Sequence, residues 1–269
     1  MIAVPRVAPP PPMPMESRQD RILEILLRRG YAGIDELVAD FDVTPQTIRR
    51  DLQDLAGRGL LRRHHGGASV MSSTANTEYA RRHIDNAAEK ARIAATAAGL
   101  LAPGSSIFMT PGTTVDAVAT AIADSKLSGL RVITNSTAAA QILGRNPQIA
   151  IHVSGGIWQA NNHALSGPAA VEFVSRYRCD VLLTSIGAVD ADGWLLEFRD
   201  EEVVVAKAML ANARRRILLA DHSKFTRVAT CKLAQLADMT TIITDRPPAS
   251  TMRSKIKNSK CELIIASEG

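Results

Sequence analysis

The sequence feature that most constrains the fold is a helix start at Thr44 and Pro45. Threonine caps the first turn of a helix well, and proline is favoured at the first helical position. Downstream, Ile48, Leu52 and Leu55 recur at steps of four and three residues, which is the spacing of one buried helix face. The segment therefore predicts an amphipathic helix with a polar outer face.

Two shorter patterns precede this helix. Apolar residues among charged ones predict a first helix over residues 16–29 and a second over residues 34–41. Three helices of which the last is polar outside follow the helix-turn-helix plan, in which the start of the last helix enters the major groove of DNA. The DNA contacts predicted from this plan are Thr44, Gln46, Thr47, Arg49, Arg50 and Gln53.

Residues 60–68 predict a β-hairpin, because Gly66 and Gly67 supply its turn. A basic hairpin directly after a recognition helix is typical of a winged helix-turn-helix. Between residues 45 and 69 five arginines stand against two aspartates, so positive charge is concentrated where DNA would lie. The hairpin adds Arg62, Arg63, His64 and His65 to the predicted DNA contacts.

Simpler interpretations exist for some of these side chains. Arg49 and Arg50 would be ordinary solvated residues if they paired with Asp51 and Asp54. We favour DNA binding for them, because three helices, a cap and a basic hairpin coincide in one segment of domain length. For the two histidines, packing or hydrogen bonding within the hairpin is as good an explanation as contact with DNA.

The composition fits a chain with two globular domains. It has 269 residues, of which 46% are hydrophobic and 22% charged. The aromatic content of 4% argues against a base-stacking platform, and the net charge of +5 is compatible with a polyanionic partner. Three cysteines and six histidines show neither a disulfide framework nor metal-ligand spacing, so no metal and no cofactor is predicted.

The chain divides into four predicted segments. Residues 1–15 are rich in proline and predict a disordered tail, and residues 16–70 hold the winged helix-turn-helix domain. Residues 71–86 are predicted to be a linker to a sensor domain over residues 87–269. Because no apolar run reaches about 18 residues, we expect no membrane span. The three widely spaced cysteines fit a reducing cytoplasm, which is the location we expect.

The second domain alternates strand and helix patterns, which predicts an α/β fold with a mostly parallel sheet. Its predicted helices cover residues 115–123, 137–143, 201–213 and 249–258. Its predicted strands cover residues 106–109, 131–134, 149–153, 180–186, 216–220, 241–244 and 262–266.

Small polar residues and glycines follow several of these strands. Parallel strands bind ligands at their carboxyl ends, and backbone N–H groups at a helix start bind phosphate or carboxylate well. Each such stretch taken alone is more often a simple turn, but four in one domain favour a small phosphorylated ligand. The candidates are Gly112, Thr113, Thr114, Thr134, Asn135, Ser136, Gly155, Gly156 and Gly187, with Asp221 and the cation Lys224 after a fifth strand.

One run of sequence, TPQTIRRDLQDLAGRGLLRRHHGGA, resembles the signature of the DeoR family of bacterial repressors. The resemblance continues at ANTEYARR, TPGTT, VITNS, SGG, SGPAA, GWLLEF and DHSKF, and within the family it is strongest to repressors of glycerol-3-phosphate regulons. It implies a sensor domain that shares the fold of ribose-5-phosphate isomerases and binds a phosphorylated sugar or polyol. It also implies Glu197 and Glu202 as acceptors for ligand hydroxyl groups.

Two positions depart from the family pattern. The family usually has an aspartate where Thr110 stands and a lysine where Ala206 stands. Losing a carboxylate and an ammonium changes which ligand atoms can be paired, and an unpaired buried polar group costs about 1–3 kcal/mol. The identity of the ligand is therefore left open between glycerol-3-phosphate and another sugar phosphate.

The sequence thus predicts a repressor of a carbohydrate or glycerol regulon that leaves its double-stranded operator DNA when the ligand binds. A homodimer or homotetramer is expected, because helix-turn-helix proteins bind paired half-sites. No catalytic residues are assigned. Two other functions were weighed: a phosphosugar isomerase with an appended DNA-binding domain, and a non-specific nucleoid protein, which the large α/β domain disfavours.

Overall fold

A computed structural model describes residues 15–29, 31–58, 60–64, 66–70 and 79–266. The predicted tail before residue 15, His65 and the first eight residues of the predicted linker lie outside the described residues. The chain separates into two compact units, residues 1–71 and residues 72–269. Among the described residues, no helix is both long enough and apolar enough to cross a membrane.

The first unit is a winged helix-turn-helix. Its helices are α1 (Met15–Arg29), α2 (Ile34–Phe41) and α3 (Pro45–Gly57), and its strands are β1 (Tyr31–Gly33), β2 (Leu61–His64) and β3 (Gly67–Val70). The three predicted helices and the hairpin are present. The strands form an antiparallel sheet in the order β1-β3-β2. Residues 31–33, for which no element was predicted, form a strand because Ala32 pairs with Ala68 of the hairpin.

The core of this unit confirms the predicted buried face of α3. Ile48, Leu52 and Leu55 are almost completely buried, together with Leu26 of α1 and Leu37 of α2. Removing such side chains from water contributes about 1.5–3 kcal/mol each, which explains why short helices of this kind are stable in this setting. The outer face of α3 is left to polar residues.

The second unit is built on a seven-stranded parallel sheet with the order β15-β14-β12-β9-β4-β5-β6. The seven predicted strands match the strands of this sheet to within three residues. They are β4 (Ser106–Met109), β5 (Arg131–Thr134), β6 (Ala150–Val153), β9 (Cys179–Ser185), β12 (Ala213–Leu219), β14 (Thr241–Thr244) and β15 (Glu262–Ile265).

Helices cover both faces of the sheet. They are α4 (Tyr79–Ile84), α5 (Ala87–Gly99), α6 (Thr113–Ala123), α7 (Thr137–Leu143), α8 (Pro168–Ser175), α9 (Asp200–Ala211) and α10 (Ser250–Asn258). Ile107 and Met109 of β4 pack in one core cluster with residues of α5 and α6, while Phe108 packs in another with residues of α8 and α9. This alternation is the two-residue period of a strand buried on both sides.

Two small antiparallel sheets add to the rim of the unit. One is the hairpin of β7 (Ile157–Gln159) and β8 (Ala164–Ser166), and the other has the order β10-β11-β13. Its strands are β10 (Ala188–Val189), β11 (Trp194–Glu197) and β13 (Cys231–Gln235). These strands and α8 were not predicted from the sequence.

The predicted linker is partly wrong, because residues 79–86 belong to the second unit. Residues 79–84 form α4, and its Tyr79 hydroxyl donates a hydrogen bond of 2.5 Å to the carboxylate of Asp116 on α6. Asp116 is 1% exposed, so this contact fixes the segment to the domain rather than leaving it in solvent. The described part of the second unit therefore begins at least eight residues before the predicted boundary at residue 87.

Candidate DNA-binding and effector sites

The start of α3 is capped as the sequence predicts. The hydroxyl of Thr44 accepts a hydrogen bond from the backbone N–H of Thr47 at 3.2 Å and lies 2.9 Å from the Thr47 hydroxyl, and Pro45 is the first helical residue. The two threonine side chains therefore stabilise the helix start. Of the predicted contacts in this segment, Thr47 is partly buried, while Thr44, Gln46, Arg49, Arg50 and Gln53 are exposed.

The two arginines of α3, Arg49 and Arg50, are exposed. Asp51, the neighbour that could have paired with them, is buried against Arg18 of α1, and Asp54 lies 3.7 Å from Arg58. Among the described residues, neither Arg49 nor Arg50 forms an ion pair. Both guanidinium groups are therefore available to a partner, and arginine at this place can bind guanine or phosphate.

The wing is present as the β2–β3 hairpin. Arg63 pairs with Ala68 across the hairpin and its side chain is exposed, and Arg62 pairs with Ser69. The placement of the Arg62 and His64 side chains and of His65 lies outside what the structure describes. Of the four predicted wing contacts, Arg63 is the one whose exposure is established.

A cavity opens at the carboxyl ends of the sheet strands in the second unit. The chain begins the sheet at its middle: β4 is followed by β5 and β6 on one side, and β9 then returns to the other side of β4. The crevice between two such neighbouring strands is where open α/β sheets bind ligands. The loops after β4 and β9 line the cavity, which has an empty volume of about 340 Å³ that is partly open to solvent.

The cavity wall is strongly polar and carries both signs of charge. Its residues are Arg82, Pro111, Gly112, Thr113, Thr114, Asn162, Ser185, Ile186, Gly187, Glu197, Phe198, Glu202, Lys224 and Arg227. Three cations and two carboxylates thus face one small space. A ligand that satisfies them needs an anionic group together with hydroxyl or other donor groups.

The environment shifts the proton affinities of these groups. Burial raises the pKa of Glu197 to about 8, and the nearby Glu202 adds to this rise. Burial likewise raises the pKa of Glu202, although Arg82 opposes the shift. Burial and the charge of Arg227 lower the pKa of Lys224 to about 7. The cavity therefore holds a carboxylic acid and an amine that both titrate near neutral pH, as is common at functional sites.

The turn that starts α6 forms one wall of the cavity. Gly112 has a φ of 141° and a ψ of 144°, a combination that is essentially restricted to glycine, and a Cβ atom there would overlap the Ser185 hydroxyl. Thr113 and Thr114 follow as the first residues of the helix and are buried. Backbone N–H groups at such a helix start attract an anion.

Seven of the thirteen predicted effector residues lie in this wall, and six do not. The Thr134 hydroxyl donates to the Met109 carbonyl at 2.7 Å, the Asn135 amide donates to the Leu165 carbonyl at 2.8 Å, and Ser136 caps α7. Gly155 and Gly156 lead into the β7–β8 hairpin. These five residues hold loops around β5 and β6, which lie on the side of β4 away from β9.

Asp221, the sixth residue, lies behind the wall. Its carboxylate accepts hydrogen bonds from the Ser223 backbone N–H and from the Asn86 amide, both at 3.0 Å. Although burial acts against it, Lys224 holds the pKa of Asp221 below its usual value. Asp221 therefore helps to place the loop that carries Lys224.

Four wall residues with polar side chains were missed by the sequence analysis: Arg82, Asn162, Ser185 and Arg227. Arg82 lies in the ANTEYARR motif that supported the family resemblance, and Arg227 lies three residues after Lys224, so motif context was the available signal for both. Asn162 and Ser185 carry no comparable signal.

Thr110 and Ala206, the two departures from the family pattern, both fit their surroundings. The Thr110 hydroxyl is buried and donates to the Thr184 hydroxyl at 3.1 Å, so it stays within the sheet. Ala206 packs against an apolar cluster that includes Val203 and Leu218. Neither residue belongs to the cavity wall.

Comparison with known families agrees with this arrangement in both units. Residues 18–74 match the DeoR-like helix-turn-helix domain, and residues 85–246 match the DeoR C-terminal sensor domain. The chain belongs to the DeoR family. It is a transcriptional regulator of the repressor type, with a helix-turn-helix unit for DNA and a sensor unit for a small molecule.

Curated relatives of this DeoR-family protein span nearly its whole length. The HTH-type transcriptional repressor CsqR of Escherichia coli K12 is 41% identical over 93% of this chain and 95% of its own. The glycerol-3-phosphate regulon repressor of Haemophilus influenzae is 39% identical over 94% of this chain and 98% of its own.

Solved structures resemble this DeoR-family protein more distantly. The ribose-5-phosphate isomerase A of Methanocaldococcus jannaschii covers 52% of the chain, and 55% of its own length, with 17% identity and a TM-score of 0.40. The sorbitol operon regulator SorC of Klebsiella pneumoniae covers 78%, and 90% of its own length, with a TM-score of 0.37 at 12% identity.

Proposed function

We propose that this protein represses transcription by binding operator DNA through α3 and the β2–β3 hairpin, and that a phosphorylated polyol or sugar in the cavity releases it. The observation that carries the proposal is the meeting of three cations and two carboxylates in one cavity of the sensor unit. Glycerol-3-phosphate is the first candidate, since repressors named for its regulon in H. influenzae and E. coli are 39% and 36% identical to this chain.

The cavity offers complementary groups to both parts of such a ligand. The phosphate is matched by Arg82, Lys224 and Arg227 and by the N–H groups at the start of α6, because charge-assisted hydrogen bonds to phosphate are the strong ones. The two free hydroxyls of glycerol-3-phosphate are matched by Glu197 and Glu202. The space inside the cavity is small, because its empty volume of about 340 Å³ includes the part that is open to solvent, and it therefore favours a small ligand.

The ligand can be identified by thermal stability of the full-length protein. A ligand at about 100 times its dissociation constant stabilises the folded state by roughly 2.7 kcal/mol. We expect glycerol-3-phosphate to raise the melting temperature, ribose 5-phosphate and glucose 6-phosphate to raise it less, and glycerol to leave it unchanged. A shift with a sugar phosphate and none with glycerol-3-phosphate would change the assigned ligand, whereas no shift with any of the phosphates would contradict the phosphate site.

DNA release is tested separately by fluorescence anisotropy with labelled operator DNA. The stabilising ligand should weaken operator binding in proportion to its saturation, since a ligand shifts an equilibrium by its differential affinity for the two states. Lys224→Met removes a cation of the wall, so that variant should bind DNA normally and fail to respond. A stabilising ligand that leaves operator affinity unchanged would contradict the repressor mechanism.

We also propose that the protein acts as a homodimer or homotetramer and does not turn its ligand over. A two-fold assembly would contact two half-sites about 34–36 Å apart, or multiples of that spacing. Sedimentation velocity measures the assembly directly. Incubation with ribose 5-phosphate measures turnover, and interconversion of aldose and ketose phosphates at enzymatic rates would favour the isomerase alternative.

A further inference from the structure

Helix α4 is the described element of the sensor unit that comes first along the chain, and it also reaches into the effector cavity. It has six residues, Tyr79–Ile84, and Arg82 lies in the cavity wall. Isolated helices shorter than about 12 residues are marginal in water, so the position of α4 depends on the side chains that hold it.

Tyr79 fixes the start of the helix. Its hydroxyl donates a 2.5 Å hydrogen bond to Asp116, whose side chain is buried on α6, the helix that begins at the cavity wall. Its ring stacks on His163 of the β7–β8 turn at a centroid distance of 4.3 Å and an interplanar angle of 12°. Burial and the Asp116 carboxylate both raise the pKa of the Tyr79 phenol, so it remains a neutral donor.

Asp116 contacts a second residue of α4. The Nε2 atom of His83 lies 3.4 Å from the same Asp116 oxygen that Tyr79 contacts. The second oxygen, Oδ1, is buried and has no hydrogen-bond partner within the part of the chain that the structure describes. A buried oxygen without a hydrogen bond costs free energy, so Asp116 depends on the hydrogen bond that its other oxygen accepts from Tyr79.

Arg82 links α4 to the far side of the cavity. Its guanidinium donates to the Asn161 carbonyl at 3.0 Å and to the Asn162 side-chain oxygen at 3.1 Å. The Asn162 amide in turn donates to Glu202 on α9 at 3.1 Å. Arg82, Asn162 and Glu202 all belong to the wall, so a ligand phosphate that draws on Arg82 acts directly on this chain of hydrogen bonds.

The end of α4 is held by the α5 side of the cavity. The Lys90 ammonium donates to the Asp85 carbonyl at 2.6 Å and also to the Arg82 carbonyl. Asn86, just after the helix, donates to Asp221 at 3.0 Å, and Asp221 places the loop that carries Lys224. Both ends of α4 are therefore bonded to groups that surround the effector site.

We propose that α4 couples the effector cavity to the DNA-binding unit. Ligand binding at Arg82 changes the placement of α4, and the Tyr79–Asp116 hydrogen bond is needed for that change to alter operator affinity. The proposal rests on the proposed function, since it assumes an anionic ligand in the cavity. Along the chain, α4 lies between the DNA-binding unit and all the other residues of the cavity wall. Tyr79 and Asp116 are thus positioning residues that act through Arg82.

The test uses the full-length Tyr79→Phe variant, which keeps the ring and its stack on His163 but removes the donor. Titrations with glycerol-3-phosphate, and with inorganic phosphate as the minimal probe, give the dissociation constant of the ligand. Anisotropy then gives the ratio of operator affinities without ligand and at ligand saturation. We expect ligand affinity within about threefold of wild type and a fall of at least tenfold in the operator-affinity ratio.

The matched control is Tyr177→Phe, which removes a second partly buried phenol whose oxygen lies 3.4 Å from the His152 ring in the same unit. It should leave both measurements unchanged. An operator-affinity ratio in Tyr79→Phe equal to wild type overturns the proposal, even if ligand affinity falls, because saturation corrects for weaker binding. Wild-type protein that binds neither phosphate probe contradicts the proposed function itself, so the two failures are distinguishable.

Discussion

Arg18 and Asp51, which are 33 residues apart, form a buried two-point ion pair between α1 and α3, with Nε–Oδ2 at 2.6 Å and Nη2–Oδ1 at 3.2 Å. Their side chains are 8% and 1% exposed. The pair lies on the inner side of the recognition helix. It therefore fixes the helix that presents Gln46 and Arg49 to the outside.

Asp51→Asn should destabilise the DNA-binding unit by about 3–5 kcal/mol, because it removes the carboxylate charge that pairs with the buried Arg18. Urea unfolding can separate the two units, since both tryptophans of the chain, Trp158 and Trp194, lie in the sensor unit. Circular dichroism should show an early transition while tryptophan fluorescence stays unchanged. The double change Arg18→Met with Asp51→Leu should recover most of the stability, and equal losses in the single and double variants would contradict a role for the charges.

Arg49→Ala should weaken operator binding by about 1–3 kcal/mol without changing the unfolding transition, because its side chain is exposed and forms no ion pair with another described residue. Gln46→Ala should act in the same direction. The control is Arg253→Ala, which removes an exposed arginine from α10 in the other unit. If loss of Arg49 lowers the slope of log affinity against log salt by about one, the residue binds phosphate; an unchanged slope indicates base contact.

Ligand affinity should fall as pH rises above about 7. Burial and Arg227 lower the pKa of Lys224 to about 7, so above that pH the empty site holds a neutral amine. Binding of a phosphate favours the ammonium and therefore takes up a proton, which weakens affinity by up to about tenfold per pH unit. Calorimetry at pH 7 and 8.5, in buffers of different ionisation enthalpy, measures this uptake.

Lys224→Arg is the control for the pH effect, because a guanidinium keeps its charge throughout this range. Its proton uptake should be smaller than that of wild type, with what remains assigned to Glu197, whose pKa of about 8 lies in the same window. Undiminished proton uptake in this variant would show that Lys224 is not the group that titrates.

Gly112→Ala should destabilise the sensor unit by about 1–3 kcal/mol and weaken ligand binding. The backbone there has a φ of 141°, and the new Cβ would overlap the Ser185 hydroxyl across the cavity. Gly155→Ala serves as the control, because that position has open space around its Cβ direction and no positive φ. Thermal unfolding and ligand titration of both variants check the prediction, and equal behaviour of the two would contradict it.

The elements that the sequence predicted well are those with local signals. The start of α3 depends on the side chain of Thr44 and the ring of Pro45, which act within one helical turn. The seven strands of the large sheet are short apolar runs with turn signals at their ends. Both kinds of signal can be recognised without knowing what lies beside them in space.

The elements that were missed depend on contacts distant in sequence. β1 is three residues long and exists because it pairs with β3, and β11 pairs with β13 in the same way. The position of the cavity depends on strand order. Because Thr134 and Gly187 both follow strands, the sequence predicted both as ligand contacts. The cavity lies between β4 and β9, so Gly187 lines it and Thr134 does not. Arg82 was missed because its place in the wall depends on a contact distant in sequence: Asp116 holds Tyr79, and with it the helix that carries Arg82.

The central strand pairing of the large sheet joins residues that the ribosome adds to the chain at widely separated times. β4 pairs with β9 across a separation of 74 residues, as between Ile107 and Val181. At about 5–20 residues per second, a ribosome needs roughly 4 to 15 s to supply the second strand after the first. All the helices and strands of the winged helix end by residue 70, so this unit can fold during that interval. A translation product that stops before β9 would carry the complete winged helix but not the completed sheet, and would therefore lack the cavity through which we propose that the ligand acts.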